Sequence, residues 1–164
     1  MIGIYPGSFD PVTNGHMDII ERSSRMVDKL VVAVLCNRAK KPTFSYEERV
    51  RILKQCTAHL PNVEVETFDG LTVDFARQKG AQMIIRGLRA ISDFENEFAM
   101  ASMNKQLADD IETMFLMTNT QWSYLSSSMV REIAAYDGDI EPFVPTALAP
   151  QIKKALRASL QEEK

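Results

Sequence analysis

Five short apolar runs, each followed by an amphipathic stretch, constrain this chain more than any other feature. The runs are MIGIY (1–5), KLVVAVLC (29–36), NVEVETF (62–68), AQMIIR (81–86) and IETMFLM (111–117). They are rich in Val and Ile and read as strands. Several are almost continuously apolar, which suits strands covered on both faces of a parallel sheet. Between them lie helical patterns of roughly 10–18 residues. SYEERVRILKQCTAHL opens with Ser45 and has Glu48 three residues on, a capping box; SDFENEFAMASMNKQLA repeats that signature with Ser92 and Glu95. LTVDFARQKG ends on Gly80, suited to the position just past a helix. The tail TALAPQIKKALRASLQEEK reads as a last helix that starts or kinks at Pro150.

Five βα units in a row predict an α/β fold. It is a Rossmann-like doubly wound sheet of five parallel strands, with right-handed crossovers and helices on both faces. The 164 residues suit one domain, 1–164, with a sizeable core. The formal net charge of −3 gives no general attraction to nucleic acid or to an anionic membrane. An anionic ligand must therefore be met by a local cluster of cations or helix ends. Cys36 and Cys56 lack metal-ligand spacing and read as reduced thiols in or near the core. The start of the chain does not resemble a secretory signal. No apolar run approaches the ~20 residues that span a bilayer. The cytoplasm is the expected location.

In an open parallel sheet, ligands sit at the carboxyl ends of the strands. The loop after the first strand is PGSFDPVTNGH (6–16). Gly7 allows close backbone approach, Asp10 and Pro11 set a bend, and Thr13 or Asn14 can cap the following helix. Gly15 and His16 then fall in its first turn, where free N–H groups and the helix dipole favour an anion. The plain alternative is a tight turn with a capping histidine. After the second strand come Lys40 and Lys41, either solvated charge or a phosphate contact. After the third, Gly70 and Thr72 line a pocket or simply start a helix. After the fourth, Arg86 and Arg89 flank Gly87 and Leu88, two guanidinium forks suited to phosphate oxygens. Among Asp93, Glu95 and Glu97, one acid facing the cleft could accept from an exocyclic amine. After the fifth, Ser126, Ser127 and Ser128 open a second helix with three hydroxyls, and Trp122 and Tyr124 stack or pack. Together these loops describe a polyphosphate site without a GxxxxGK[ST] or GxGxxG motif.

TNGH (13–16) resembles the (H/T)xGH signature of the nucleotidyltransferase superfamily, and SSSMVRE (126–132) stands where that superfamily has its second phosphate-binding segment. YPGSFDPVTNGH, KKPTFSYEER, GLTVDFA, IRGLRAISDFENE, MNKQLA and WSYLSSSMVREIA occur in order. Together they make nearly the whole chain similar to the bacterial phosphopantetheine adenylyltransferase family. The resemblance implies transfer of the adenylyl group of ATP to 4′-phosphopantetheine, with Mg²⁺, in a cytoplasmic homohexamer. It implies ATP contacts at Ser8, Phe9, His16, Gly87, Leu88, Arg89, Glu97 and the segment Trp122, Ser123, Tyr124, Leu125, Ser126, Ser127 and Ser128. Acceptor contacts are implied at Ser8, Lys40, Thr72 and Arg86, and the catalytic roles at His16, Lys40 and Arg89. The family often has Thr where Ser8 stands, and some members carry an aromatic residue at the position of Asn96. Competing expectations are a nicotinamide mononucleotide adenylyltransferase, a cytidylyltransferase, or a non-catalytic nucleotide-binding module.

Overall fold

The computed structural model describes residues 1–36, 42–89 and 91–161, with side chains except those of 91–93 and 159–161. Five strands, β1 (Ile2–Gly7), β2 (Lys29–Leu35), β3 (Val63–Phe68), β4 (Met83–Leu88) and β5 (Glu112–Met117), form one sheet in the order β3-β2-β1-β4-β5. Every pairing is parallel. The helices are α1 (Asn14–Ser24), α2 (Tyr46–Cys56), α3 (Thr72–Gln78), α4 (Ile91–Leu107), α5 (Ser127–Ala135) and α6 (Ala149–Gln161).

The pleat divides the core in two. Leu30, Val32 and Val34 of β2, with Tyr5 and Ile85, pack with residues of α1, α2, α5 and α6 on one face. Val31 and Ala33, with Ile4 and Ile84, pack against Val73, Phe75 and Ala76 of α3 and against Ala108 and Ile111 on the other. Central β1 and β2 are therefore buried on both sides, as their unbroken apolar runs required. Edge strand β3 instead mixes exposed Glu64 and Thr67 with buried Val65 and Phe68. The chain builds outward from β1 through β2 to β3, then returns to add β4 on the other side of β1. That reversal opens a crevice above the carboxyl ends of β1 and β4.

Local signals fixed most helix ends. Ser45 and Glu48 form the expected reciprocal capping box at 3.2 and 3.0 Å. Gly80 has φ +64°, and the Gly80 and Ala81 amides bond back to Arg77 and Ala76, which closes α3 with a Schellman motif. Pro150 is the second residue of α6, where its missing N–H costs no helical bond.

Three expectations need correction. Strand β1 runs on through Pro6 and Gly7, which pair with Ala33 and Val34. Strand β4 continues to Leu88 because Gly87 and Leu88 pair with Leu116 and Met117, so Arg86 lies inside the strand rather than at its end. Helix α4 begins at Ile91, so Ser92 and Glu95 lie within it rather than at its cap. With β4 extended to Leu88, only two residues remain before α4, so the helix starts ahead of the capping signature.

Candidate anion-binding groove

The carboxyl ends of β1 and β4 form the floor of a groove of about 560 Å³. One wall starts at α1. Thr13 is its N-cap, and the cap involves His16 in both directions. The His16 amide donates to Thr13 Oγ1 at 3.3 Å, and the Thr13 amide donates to His16 Nδ1 at 3.0 Å. Histidine here fills the place that Glu or Gln takes in the usual capping box. Because Nδ1 accepts a backbone proton, the neutral ring carries its hydrogen on Nε2. Burial lowers the His16 pKa to about 4, and the charges of Arg89 and Arg86 push in the same direction. The imidazole is therefore an uncharged donor near neutral pH, which decides between the neutral and cationic forms. Its ring packs edge-on to Phe9, with centroids 5.0 Å apart.

The opposite wall starts at α5. Ser126 caps it, accepting from the Met129 amide at 3.2 Å. Ser127 Oγ donates to the Pro11 carbonyl at 2.7 Å, and Arg131 donates to Ser128 Oγ at 3.2 Å. The three hydroxyls thus all have protein partners. The Ser127–Pro11 bond also draws the N-terminus of α5 beside the loop that leads into α1. Arg131 adds a bond to the Asp10 carbonyl, so the two walls are tied twice.

Between the walls stand the arginines. Arg86 is held by Glu97 through Nε at 2.7 Å and Nη2 at 2.6 Å, and its Nη1 donates to the Pro6 carbonyl at 2.8 Å. Burial alone would depress its pKa, but the bonds and charge of Glu97, with Tyr5, raise it above the ordinary value. Three of its five N–H donors are engaged, so Arg86 is an anchored fork rather than a free one. Arg89 follows β4 and donates to the Leu125 carbonyl at 3.1 Å.

Of the residues expected at the site, Ser8, Phe9, His16, Arg86, Gly87, Arg89, Glu97, Leu125, Ser126, Ser127 and Ser128 line the groove. Leu88 does not; its side chain is buried in the core. Thr72, Trp122, Ser123 and Tyr124 also lie off its lining, and Tyr124 is 82% exposed. Trp122 packs against the core instead. Lys40 lies outside the described residues. The groove also recruits Tyr46, Arg49 and Arg131, which sequence reasoning missed. All three fall inside the stretches KKPTFSYEER and SSSMVRE, but only the fold shows that Arg49 and Arg131 turn inward.

Gly15 separates packing from ligand space. A Cβ there would meet Thr13 Oγ1 and Trp122 Cβ at 3.6 Å, an ordinary contact. Protein packing therefore does not demand glycine, and a bare first turn leaves the backbone open toward the groove. Gly7 is the opposite case: a Cβ would come within 2.9 Å of the Phe9 ring.

The cytidylyltransferase-like family profile matches residues 4–133. A phosphopantetheine adenylyltransferase of Desulforamulus reducens is 57% identical over 152 residues, covering 93% of this chain and 94% of that protein. The chain belongs to the phosphopantetheine adenylyltransferase family. Another member, from Picosynechococcus sp., is 56% identical over 93% of this chain and 85% of its own length. A Vibrio parahaemolyticus structure assigned as a nicotinate-nucleotide adenylyltransferase shares the fold. Its TM-score is 0.70 at 17% identity, over 99% of this chain and 96% of that one.

Proposed function

We infer that this chain transfers the adenylyl group of ATP to 4′-phosphopantetheine, releasing pyrophosphate and forming dephospho-coenzyme A. The observation that carries this is a groove lined by two helix N-termini, four arginines and a neutral histidine, in a chain 52–57% identical to family members over most of its length. A phosphate monoester has a second pKa near ~6, so the acceptor is largely a dianion at neutral pH and is already a nucleophile. It needs orientation and charge relief, and the groove supplies donors for both. The path is in-line attack on the α-phosphorus, with pyrophosphate leaving and no covalent adenylyl-enzyme.

His16 Nε2–H and the Gly15 amide in the first turn of α1 meet the α-phosphate, where charge develops on the equatorial oxygens. Arg89 and the N-terminus of α5 hold the departing pyrophosphate. Arg86, fixed by Glu97, orients the incoming phosphate, and Lys40 assists it, a role that rests on the resemblance. Mg²⁺ is proposed to enter as the cation of the nucleotide. No three potential metal-binding side chains cluster among the described residues, and the Asp10 and Glu97 carboxylates already accept hydrogen bonds. Such a donor set suits a magnesium ion carried on substrate phosphates.

We further propose a cytoplasmic homohexamer. Among the described residues, no helix is long and apolar enough to cross a membrane. Phe94, Phe98, Met100, Met103 and Leu107 leave α4 with exposed apolar surface that a second copy would cover. Light scattering after size exclusion gives the subunit number. The activity is tested by pyrophosphate release, with ATP against CTP and 4′-phosphopantetheine against nicotinate mononucleotide. Release only with the first of each pair is expected. Release with CTP or with the mononucleotide in its place refutes this reading.

A further inference from the structure

Arg49 carries a cost that neither packing nor the proposed chemistry has so far explained. It is the fourth residue of α2, near the end of the helix dipole that disfavours a cation. It is 3% exposed, and its Nη2 has no hydrogen-bond partner. Its guanidinium lies 4.4 Å over the Tyr46 ring. The remaining donors each take a main-chain carbonyl: Nε that of Phe44 at 3.0 Å, and Nη1 that of Ser8 at 2.9 Å. A demand for packing alone would be met by leucine or methionine.

The Ser8 carbonyl is the informative contact. The next residue, Phe9, has φ +50°, a left-handed conformation that a bulky side chain rarely adopts. That dihedral turns over the Ser8–Phe9 peptide. In a trans peptide the C=O and N–H point in opposite directions. With the carbonyl fixed on Arg49, the Phe9 N–H must point away from α2. Phe9 is 2% exposed and lines the groove, yet its amide has no protein partner among the described residues. A backbone donor without a protein partner at the lining of a groove is free to meet a ligand oxygen.

We propose that Arg49 is a positioning residue: through the Ser8 carbonyl it holds the turned-over Ser8–Phe9 peptide, so that the Phe9 N–H faces a substrate phosphate oxygen. This rests on the reading of the groove as an adenylyl-transfer site. The dedicated guanidinium tolerates an orphaned Nη2 because the other two donors fix two backbone segments at once.

The test compares wild type with Arg49→Met and Arg49→Lys by crystal structure, melting temperature and pyrophosphate release. In Arg49→Met, Phe9 is expected to leave positive φ, and kcat to fall at least ~10-fold, the low side of losing one preorganised donor. The ATP KM should change less. Arg49→Lys, which retains one donor, should recover part of kcat. A folded Arg49→Met that keeps Phe9 at positive φ, or keeps kcat within twofold, overturns the proposal. If Arg49→Met does not fold, Arg49→Lys decides: an intermediate kcat supports the proposal and a wild-type kcat overturns it. If wild type itself releases no pyrophosphate, the adenylyl-transfer reading fails. The Phe9 dihedral and ATP titration of the variants then decide the positioning role separately.

Discussion

Gly15 occupies a helical position where alanine would be more stable, and nothing in the protein forbids the change. Gly15→Ala is expected to stabilise the unliganded protein by ~0.5–1 kcal/mol. It should also weaken ATP binding, because the added methyl enters the open first turn. Thermal melting and titration calorimetry on the same variant check both signs. His16 makes a second residue-level prediction. Its folded pKa of about 4 lies below the ordinary 6.5, so the unfolded chain takes up a proton first as pH falls. Its contribution to stability is complete above 6.5 and is lost between 6.5 and 4. The wild-type melting temperature should fall more steeply across that window than that of His16→Ala. The same variant should lose on the order of 10²–10³-fold in turnover while remaining folded. Sequence alone exposed His16 because a plain turn needs glycine and proline but has no use for a histidine. It could not reveal that Nδ1 already accepts the Thr13 amide, which fixes the ring as a donor through Nε2.

At the level of elements, signals confined to a few adjacent residues were read correctly. The Ser45–Glu48 box and the Gly80 stop stand where the pattern put them. Ser45→Ala should cost ~1 kcal/mol, seen as a lower urea midpoint, with kcat little changed because Ser45 does not line the groove. A wild-type midpoint would show that the cap contributes nothing. Features settled by distant pairing were not legible. The end of β4 depends on β5, and the anchoring of Arg86 depends on Glu97 eleven residues later and Pro6 eighty residues earlier. Arg49 was not singled out for the same reason: its acceptors are the Phe44 and Ser8 carbonyls, which only the fold brings to it.

At the scale of the whole molecule, a chain of net charge −3 concentrates arginines and helix N-termini at one sheet edge, the arrangement the proposed anion site requires. Attraction over that short range is screened by salt, although less than on an open surface. The KM for ATP should rise a fewfold from low to high ionic strength with kcat nearly constant; an unchanged KM would contradict an electrostatic groove. The alternation of strands and helices made the parallel sheet and its ligand edge legible, whereas the reversal at β1 was not. The contacts that close the groove span most of the chain: Ser127 reaches Pro11 across 116 residues, and Arg131 reaches Asp10 across 121. During synthesis, β1 and α1 leave the ribosome long before α5 does. A nascent chain therefore carries half a pocket for most of its growth, and nucleotide cannot stabilise it until α5 has emerged and docked.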